Sequence, residues 1–259
     1  MDLQLEKQVV FVAGSSRGIG RSIAETLLAQ GACVILTGRD EQSLRATCEE
    51  VGNPGNRDNM LAISGDFSKP AVIASGYERA AAHFGGIDHL VANLGTGSGE
   101  PGWTPSEAEW QRLFEQNFFA SMRLTQSVLP YLVANTNGGS ILYISSIAAI
   151  EASSAPLPYS AAKAALLNYS KNLARQLGPQ KIRVNSIAPG NIWFPGGSWQ
   201  KKLEEKADGV TAMLRADVPL QRFGTPAEVA SLAAYLCSTQ AAFCTGGCYV
   251  MDGGQTRTV

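Results

Sequence analysis

The chain has 259 residues, of which 45% are hydrophobic and 17% charged, and its formal net charge is −1 at pH 7. This balance is typical of a globular protein, and it argues against intrinsic disorder and against bulk attraction to nucleic acid or an anionic membrane. No signal peptide and no run of about 18 apolar residues is present, so we expect a cytoplasmic protein without a membrane span. Five cysteines without a CxxC pair and only two histidines predict reduced thiols and no metal site.

Short apolar runs alternate with longer segments of helical periodicity almost to the end of the chain. The short runs are apolar on both faces, which is typical of buried parallel strands. We expect strands at residues 9–13, 32–37, 60–64, 89–93, 140–145, 182–188 and 248–251. We expect helices at residues 18–30, 41–51, 71–84, 106–132, 158–177 and 225–236, with Ser106 and Thr225 as N-caps.

This alternation predicts an α/β fold, namely a doubly wound parallel sheet of about seven strands with helices on both faces. We expect residues 1–259 to form a single domain that binds a dinucleotide and carries the catalytic residues. Only residues 191–216 depart from the rhythm, beginning rich in Gly and Trp and then becoming a charged helix. Because this lid segment follows the carboxyl end of a strand, where ligands bind in such sheets, we expect it to cover a substrate.

A glycine-rich turn, GSSRGIG over residues 14–20, joins the first strand to the first helix. Gly14 allows a tight turn, while Gly18 and Gly20 let backbone amides at a helix N-terminus approach a diphosphate. The alternative is a plain strand–helix connection, but the surrounding βαβ unit favours nucleotide binding.

The end of the second strand predicts which nucleotide is preferred. NAD-binding enzymes place an acidic residue there to accept from the ribose 2′-hydroxyl. Here Gly38 stands at that place and Arg39 follows, while Arg17 lies in the glycine-rich turn. Two guanidinium groups suit a 2′-phosphate, so we expect NADP(H) to be preferred over NAD(H), unless both are ordinary surface arginines.

A second group of residues contains the candidate catalytic side chains. Tyr159 and Lys163 are four residues apart and so share one face of the predicted helix 158–177. Alone, this pair could be an exposed aromatic–basic contact. However, Ser146 lies at the end of the fifth strand, thirteen residues before Tyr159, and Asn117 lies on the preceding helix.

These motifs resemble those of the classical short-chain dehydrogenase/reductase family, and particularly its 3-oxoacyl-[acyl-carrier-protein] reductase-like members. The turn is similar to the family's TGxxxGIG, with Ala13 in place of Thr, and residues 92–95 are similar to its NNAG, with Ala92 and Leu94 departing. The resemblance extends from residue 9 to residue 254 and implies a single-domain, Rossmann-like fold. It also implies the catalytic tetrad, which consists of Asn117, Ser146, Tyr159 and Lys163.

Motif and resemblance together imply a set of cofactor contacts. These are Gly14, Ser16, Arg17, Gly18, Ile19, Gly20, Arg39, Asp66, Asn93, Gly95, Tyr159, Lys163, Pro189, Gly190 and Ile192. Two roles stay open, since Asp66 could equally cap a helix and Asn93 could either tie down the central strand or border the adenosine. Phe194 stands where the family usually has Thr, so one hydroxyl contact to the cofactor is expected to be missing or moved.

The implied reaction interconverts a ketone and a secondary alcohol by hydride transfer. The pKa of a free tyrosine is near 10, and we expect the Lys163 cation and the positive nicotinamide to lower it, so that Tyr159 acts as acid in reduction and base in oxidation. Ser146, rather than the adjacent Ser145, would hydrogen-bond the substrate oxygen. By resemblance, Lys163 holds the nicotinamide ribose and Asn117 holds a water that relays protons to Lys163.

Three other functions fit the sequence less well. An NAD-dependent alcohol dehydrogenase would need a different ribose site, and a non-catalytic NADP(H)-sensing regulator would tend to lose tetrad members. An enoyl reductase of the same superfamily separates Tyr and Lys more widely, but Leu166 stands seven residues beyond Tyr159.

Aromatic residues beyond the strand ends predict the substrate. They are Trp103, Trp193, Phe194 and Trp199, with Pro195 beside them. If they line the pocket rather than only pack the lid, the substrate is a bulky, largely apolar ketone. The long helices at 106–132 and 158–177 imply, by resemblance, pairing into a homodimer or homotetramer.

Overall fold

One parallel sheet forms the centre of the molecule in a computed structural model, which describes residues 2–258. Its seven strands lie in the order β3-β2-β1-β4-β5-β6-β7, and every neighbouring pair is parallel. They are β1 Val9–Ala13, β2 Cys33–Gly38, β3 Met60–Ser64, β4 His89–Ala92, β5 Gly139–Ile144, β6 Ile182–Pro189 and β7 Cys248–Met251. The order reverses between β1 and β4, which confirms the doubly wound sheet and opens a ligand crevice at that point.

The described part of the chain contains eight α-helices, most of which cover the two faces of the sheet. They are α1 Gly18–Ala29, α2 Glu41–Val51, α3 Pro70–Phe84, α4 Glu107–Phe114, α5 Ala120–Ala134, α6 Leu157–Leu177, α7 Ser198–Asp217 and α8 Pro226–Cys237. The residues of β1 show why both faces are apolar: Val10 and Val12 pack towards α1 and α8, while Phe11 packs with α3 and α5. Since side chains alternate along a strand, a continuous apolar run supplies both cores.

The expected helix 106–132 is wrong as a single α-helix. A five-residue π turn, Glu115–Phe119, separates α4 from α5. Within it, the side-chain amide of Asn117 donates to the Leu113 carbonyl four residues earlier, at 3.0 Å. In a regular α-helix this carbonyl would accept from the backbone amide of residue 117, so a side chain that occupies it favours a π turn. Such turns are frequent at functional sites.

The expected N-caps are both present. The Ser106 hydroxyl accepts from the backbone amide of Glu109 at 3.2 Å, and Thr225 forms a reciprocal capping box with Glu228. None of the helices within residues 2–258 combines the length and apolar character that crossing a bilayer requires.

The lid segment is mostly helical, as predicted, but it is not one regular helix. Lys206, with φ −150° and ψ 53°, divides α7 into two parts. The second part packs through a small cluster of its own, in which Val210 and Leu214 meet Val218 and the partly buried Phe223. The lid segment is therefore stabilised apart from the two large cores on the sheet.

Candidate active site

A groove runs along the carboxyl ends of the strands at the crevice between β1 and β4. One end is a cavity of about 620 Å³ lined by Asn117, Ser146, Tyr159 and Lys163. The other is a cavity of about 520 Å³ lined by the glycine-rich turn, both arginines and Asp66. Because the two cavities share Ile19, Asn93 and Gly95 in their walls, they form one continuous space, which all the predicted catalytic and cofactor residues border except Gly18 and Gly20.

The glycine-rich turn has the close-packed geometry that a diphosphate site needs. Helix α1 begins at Gly18, beside the groove end, so its first backbone amides have no partner within the helix and are available to an anion. A β-carbon on Gly20 would lie 2.2 Å from the Gly14 carbonyl oxygen, so only glycine allows the turn to fold this tightly. The residues present thus fit a dinucleotide, with Gly14, Ser16 and Ile19 bordering the same space.

The ribose end of the groove is basic, and the structure explains why no acid stands there. A β-carbon at Gly38 would lie 2.9 Å from the Ser16 β-carbon, which leaves no room for a carboxylate side chain. Arg39 is exposed and borders the cavity. Arg17 borders it too, but its guanidinium also donates to the Gly196 carbonyl at 3.2 Å and so ties the turn to the lid segment.

Asp66 and Asn93 both border the groove, and each also has a structural role. The Asp66 carboxylate accepts from the amide and hydroxyl of Ser68, and so shapes the turn before α3. Although burial acts to raise it, these bonds hold the pKa of Asp66 below its usual value. Asn93 donates to the Gly14 carbonyl at 2.9 Å, so it ties the end of β4 to the glycine-rich turn.

Ser145 and Ser146 follow β5 directly, and they face different partners. Ser145 is buried, and its hydroxyl donates to the Lys163 carbonyl at 3.3 Å. Ser146 is half-buried beside Tyr159, and its hydroxyl accepts from the Ala148 amide at 3.2 Å. Ser146 thus has the more accessible hydroxyl of the two, and Ser145 is held in a buried position.

Lys163 borders the catalytic cavity but is almost fully buried, with only 4% of its surface exposed. Its ammonium group donates to the Ile144 carbonyl at 2.8 Å. Burial makes the charged form costly, and it lowers the pKa of Lys163 to about 8.

Tyr159 lies on the same face of α6, with the Lys163 nitrogen 6.0 Å from the centre of its ring. Burial raises the pKa of Tyr159, and a hydrogen bond with the Ser146 side chain only partly opposes this. The expectation that Lys163 lowers the pKa of Tyr159 is thus wrong for the protein alone. The reason is that burial of the phenolate is the largest cause of this pKa shift, whereas Lys163 is not among its causes.

Asn117 completes the group from the π turn. It is fully buried, and its amide is held from both sides by the backbone of Thr96, at 3.1 Å to each group. A β-carbon at Gly95 would lie 2.5 Å from the Asn117 oxygen and 3.2 Å from the Lys163 nitrogen. Gly95 therefore leaves the room in which Asn117 and Lys163 approach one another, and Thr96 is a supporting residue that no motif indicated.

The end of β6 brings the last predicted cofactor residues to the groove. Pro189, Gly190 and Ile192 all border the catalytic cavity. Phe194, which replaces the usual Thr, turns its ring onto the glycine-rich turn, where a β-carbon on Gly18 would lie 2.7 Å from it. Phe194 is thus an apolar contact between lid segment and turn, in place of a hydroxyl.

The aromatic pocket that the sequence predicted is only partly present. Phe194 and Trp199 border the catalytic cavity, but Trp103 is 87% exposed and lies outside its wall, as do Trp193 and Pro195. The rest of that wall includes polar groups that sequence reasoning missed, from the loop after Ser146 and from residues 255–257. Only the turn-forming DGG at residues 252–254 indicated that the chain bends back there.

Comparison with known proteins agrees with this geometry. A family model described as enoyl-(acyl carrier protein) reductase matches residues 13–256. The chain is 34% identical over 252 residues to 3-oxoacyl-[acyl-carrier-protein] reductase FabG of Escherichia coli, covering 97% of this chain and 98% of that protein. It is 31% identical over 268 residues to the uncharacterized oxidoreductase YvrD of Bacillus subtilis, and both chains are covered in full.

Solved structures give the same result. L-sorbose reductase of Gluconobacter frateurii, complexed with NADPH and L-sorbose, superposes with a TM-score of 0.93 and 31% identity over the full length of both chains. A 7α-hydroxysteroid dehydrogenase complexed with NADH and 7-oxo glycochenodeoxycholic acid has a TM-score of 0.89 and 29% identity, covering 99% of this chain and 97% of that one. The chain belongs to the short-chain dehydrogenase/reductase family. It is thus an oxidoreductase of a family that acts on CH–OH and C=O groups with a nicotinamide cofactor.

Proposed function

We propose that the protein is an NADP(H)-dependent oxidoreductase that interconverts a ketone and a secondary alcohol, with Tyr159 as the acid and base. The observation that carries this proposal is the meeting of Ser146, Tyr159 and Lys163 at one cavity that continues into the glycine-rich turn. Burial of a lysine is costly, so we would not expect a non-catalytic protein of the same fold to bury one beside a tyrosine at this cavity.

The proposed roles follow from the positions of the side chains. A bound nicotinamide cofactor supplies hydride to the carbonyl carbon or accepts it from the alcohol carbon. The Tyr159 hydroxyl gives a proton to the resulting alkoxide in reduction and takes it back in oxidation. Ser146 donates a hydrogen bond to the same oxygen and stabilises its developing charge. Lys163 holds the ribose hydroxyls and, through its pKa of about 8, re-protonates Tyr159 by way of solvent near Asn117.

The preference for NADP(H) rests on charge at the ribose end of the groove. Arg17 and Arg39 border it, and Gly38 leaves no space for the acidic residue that a 2′-hydroxyl would need. The structural relatives do not decide the matter, because one is a complex with NADPH and the other with NADH.

Two rival functions have specific observations against them. The matching family model carries an enoyl reductase description, yet Leu166 is fully buried in the core, where the wider spacing of that class would place a lysine. A non-catalytic NADP(H)-sensing regulator would not need the four predicted catalytic side chains at one cavity. An NAD-dependent alcohol dehydrogenase remains the alternative that the cofactor experiment below decides.

Domain organisation, assembly and location are proposed with the function. We propose one domain with the lid segment over the catalytic cavity, a homodimer or homotetramer, and a cytoplasmic location. Exposed apolar residues support an assembly, since Val133 and Leu157 are 54% and 47% exposed on α5 and α6, and Phe243 is fully exposed near β7. All five cysteines are free thiols, which suits a reducing compartment.

The substrate is proposed as a small carbonyl or alcohol compound. The relatives name a 3-oxoacyl carrier protein, a ketose and an oxidised bile acid, so they do not agree on one class. For a largely apolar ketone, the support is limited to the two aromatic rings that meet the cavity, Phe194 and Trp199.

The test of the proposed function is the oxidation of NADPH, followed at 340 nm, against a panel of ketones, with NADH in parallel. We expect NADPH-dependent turnover with at least one ketone and a kcat/KM for NADPH well above that for NADH. Equal values for the two cofactors would contradict the NADP(H) assignment, and an absence of hydride transfer to any carbonyl would contradict the enzyme assignment.

A further inference from the structure

The end of the chain forms part of the wall of the catalytic cavity. After β7, the Asp252 carboxylate accepts from the amides of Gly254 at 2.8 Å and Thr256 at 2.7 Å, which bends the chain back on itself. Residues 255–257, which we call the tail, then border the cavity that contains Ser146 and Tyr159. The tail is thus a wall of the site rather than a surface extension.

Two hydrogen bonds fix the tail to neighbouring parts of the wall. The backbone amide of Arg257 donates to one carboxylate oxygen of Glu151 at 2.7 Å, and Glu151 lies in the loop five residues after Ser146. The Asn191 side chain donates to the Gln255 side-chain oxygen at 2.9 Å, at the beginning of the lid segment. The loop, the tail and the lid segment therefore form one connected polar surface.

Glu151 has the chemistry to recognise a ligand in this cavity. It is partly buried, and its second carboxylate oxygen has no hydrogen-bond partner among the residues that the structure describes. The Arg257 amide holds one carboxylate oxygen, so the other oxygen is left as an acceptor in the cavity wall. A carboxylate accepts only, so its ligand must offer a donor.

The remaining wall groups also favour a particular ligand chemistry. Lys202 and Arg257 supply donors, while Glu151 and Asp217 supply acceptors. Glu151 is the one of these four groups that is partly buried, and an apolar ligand would cover its carboxylate without pairing it, which is unfavourable for a charge. A hydroxyl group both donates and accepts, so a compound with several hydroxyls can pair with both kinds.

We propose that the substrate is a carbonyl compound carrying several hydroxyl groups, and that Glu151 determines this specificity by accepting a hydrogen bond from one of them. This inference rests on the proposed function, because it concerns the same cavity. It replaces the expectation of a largely apolar ketone.

The experiment compares two six-membered ring ketones that differ in their hydroxyls, cyclohexanone and 2-inosose, a pentahydroxycyclohexanone. Their kcat/KM values with NADPH are measured on the full chain, with ethyl acetoacetate as a third, open-chain ketone. We expect 2-inosose to be preferred over both by at least about 100-fold, because a site built to bind substrate hydroxyls discriminates strongly against analogues that lack them. A preference for cyclohexanone or ethyl acetoacetate would overturn the proposal.

A variant of Glu151 tests whether this residue causes the preference for 2-inosose over cyclohexanone. In Glu151→Gln the side-chain oxygen can still accept from the Arg257 amide, but the group left in the cavity becomes a donor. We expect KM for 2-inosose to rise at least about tenfold, while kcat/KM for cyclohexanone stays within about threefold. Glu49→Gln, an exposed change on α2 away from the groove, is the matched control and should change neither. Equal losses for the two rings in Glu151→Gln would contradict the assigned role.

A second pair of variants isolates the backbone contact. Arg257→Ala keeps the amide that holds Glu151, whereas Arg257→Pro removes it. We expect the proline variant to lower the preference for 2-inosose at least about threefold beyond the alanine variant. Equal preferences in the two variants would contradict a role for this hydrogen bond.

Binding separates this proposal from the proposed function. If no ketone is reduced, saturation-transfer NMR on protein saturated with NADP⁺ compares the binding of 2-inosose and cyclohexanone. Binding of 2-inosose that Glu151→Gln weakens supports the specificity even though the reductase assignment fails. Equal or stronger binding of cyclohexanone overturns it.

Discussion

The catalytic side chains and the rest of the substrate wall are held by different kinds of structure. Asn117 is fully buried on the π turn, and Lys163 is 4% exposed on α6, which packs against β6 of the central sheet. By contrast, Lys202 and Arg257 are exposed, on a kinked helix with a small cluster of its own and on the tail. The difference indicates that the chemistry is fixed by the core of the fold, whereas specificity lies in segments that can change without disturbing it.

The prediction with the largest expected effect compares how much a core residue and a lid-segment residue contribute to the free energy of unfolding. Leu166 is fully buried in the core beneath α6, so Leu166→Ala should lower the free energy of unfolding by about 2–5 kcal/mol. Leu214 packs only in the small cluster of the lid segment, so Leu214→Ala should cost about 2 kcal/mol or less, because its surroundings can collapse. Urea unfolding measures both, and equal losses would contradict the separation.

The second prediction concerns the contribution of Arg39, at the basic end of the groove, to the affinity for NADPH. Arg39→Ala should raise the Kd of NADPH roughly 10- to 100-fold, because a charged hydrogen bond to phosphate is worth about 1.5–3 kcal/mol. The Kd of NADH should change less than about twofold. Arg45→Ala, which removes an exposed ion pair with Glu41 on α2, is the control. The Kd values are measured by fluorescence titration with each cofactor. An equal rise in the Kd of NADH would contradict the role of Arg39 in binding the 2′-phosphate.

The buried lysine gives the smallest effect, a dependence of stability on pH. Since the pKa of Lys163 is about 8 in the folded protein and near 10.5 when unfolded, the unfolded chain binds more protons between these values. Stability therefore rises with pH in that window, relative to a protein without this group, and the cost of the buried charge is fully present below pH 8. From pH 7 to pH 9, wild type should gain about 1 kcal/mol over Lys163→Met. A constant difference in chemical denaturation would contradict the shift.

The sequence predicted those features that depend on local pattern. Continuous apolar runs gave the strands, because a buried parallel strand such as β1 needs apolar residues on both faces. The four-residue spacing of Tyr159 and Lys163 predicted that the two side chains share one face of α6. Such features need only the geometry of one element.

Features that depend on distant contacts were missed. The π turn around Asn117 needs the Leu113 carbonyl and the backbone of Thr96 together, which no helical periodicity reveals. The pKa of Tyr159 depends on how deeply its hydroxyl is buried. The tail joins Glu151 across 106 residues of chain, and its place in the cavity is a result of tertiary packing.

The central claim is that Tyr159 transfers the proton, and one measurement tests it most directly. Single-turnover reduction of a ketone is followed by NADPH absorbance in wild type and in Tyr159→Phe, with the Kd of NADPH measured for both proteins. Phenylalanine keeps the ring and removes only the hydroxyl. The account predicts an unchanged Kd and a reduction rate lower by about 10²- to 10⁴-fold. A rate near that of wild type would contradict it.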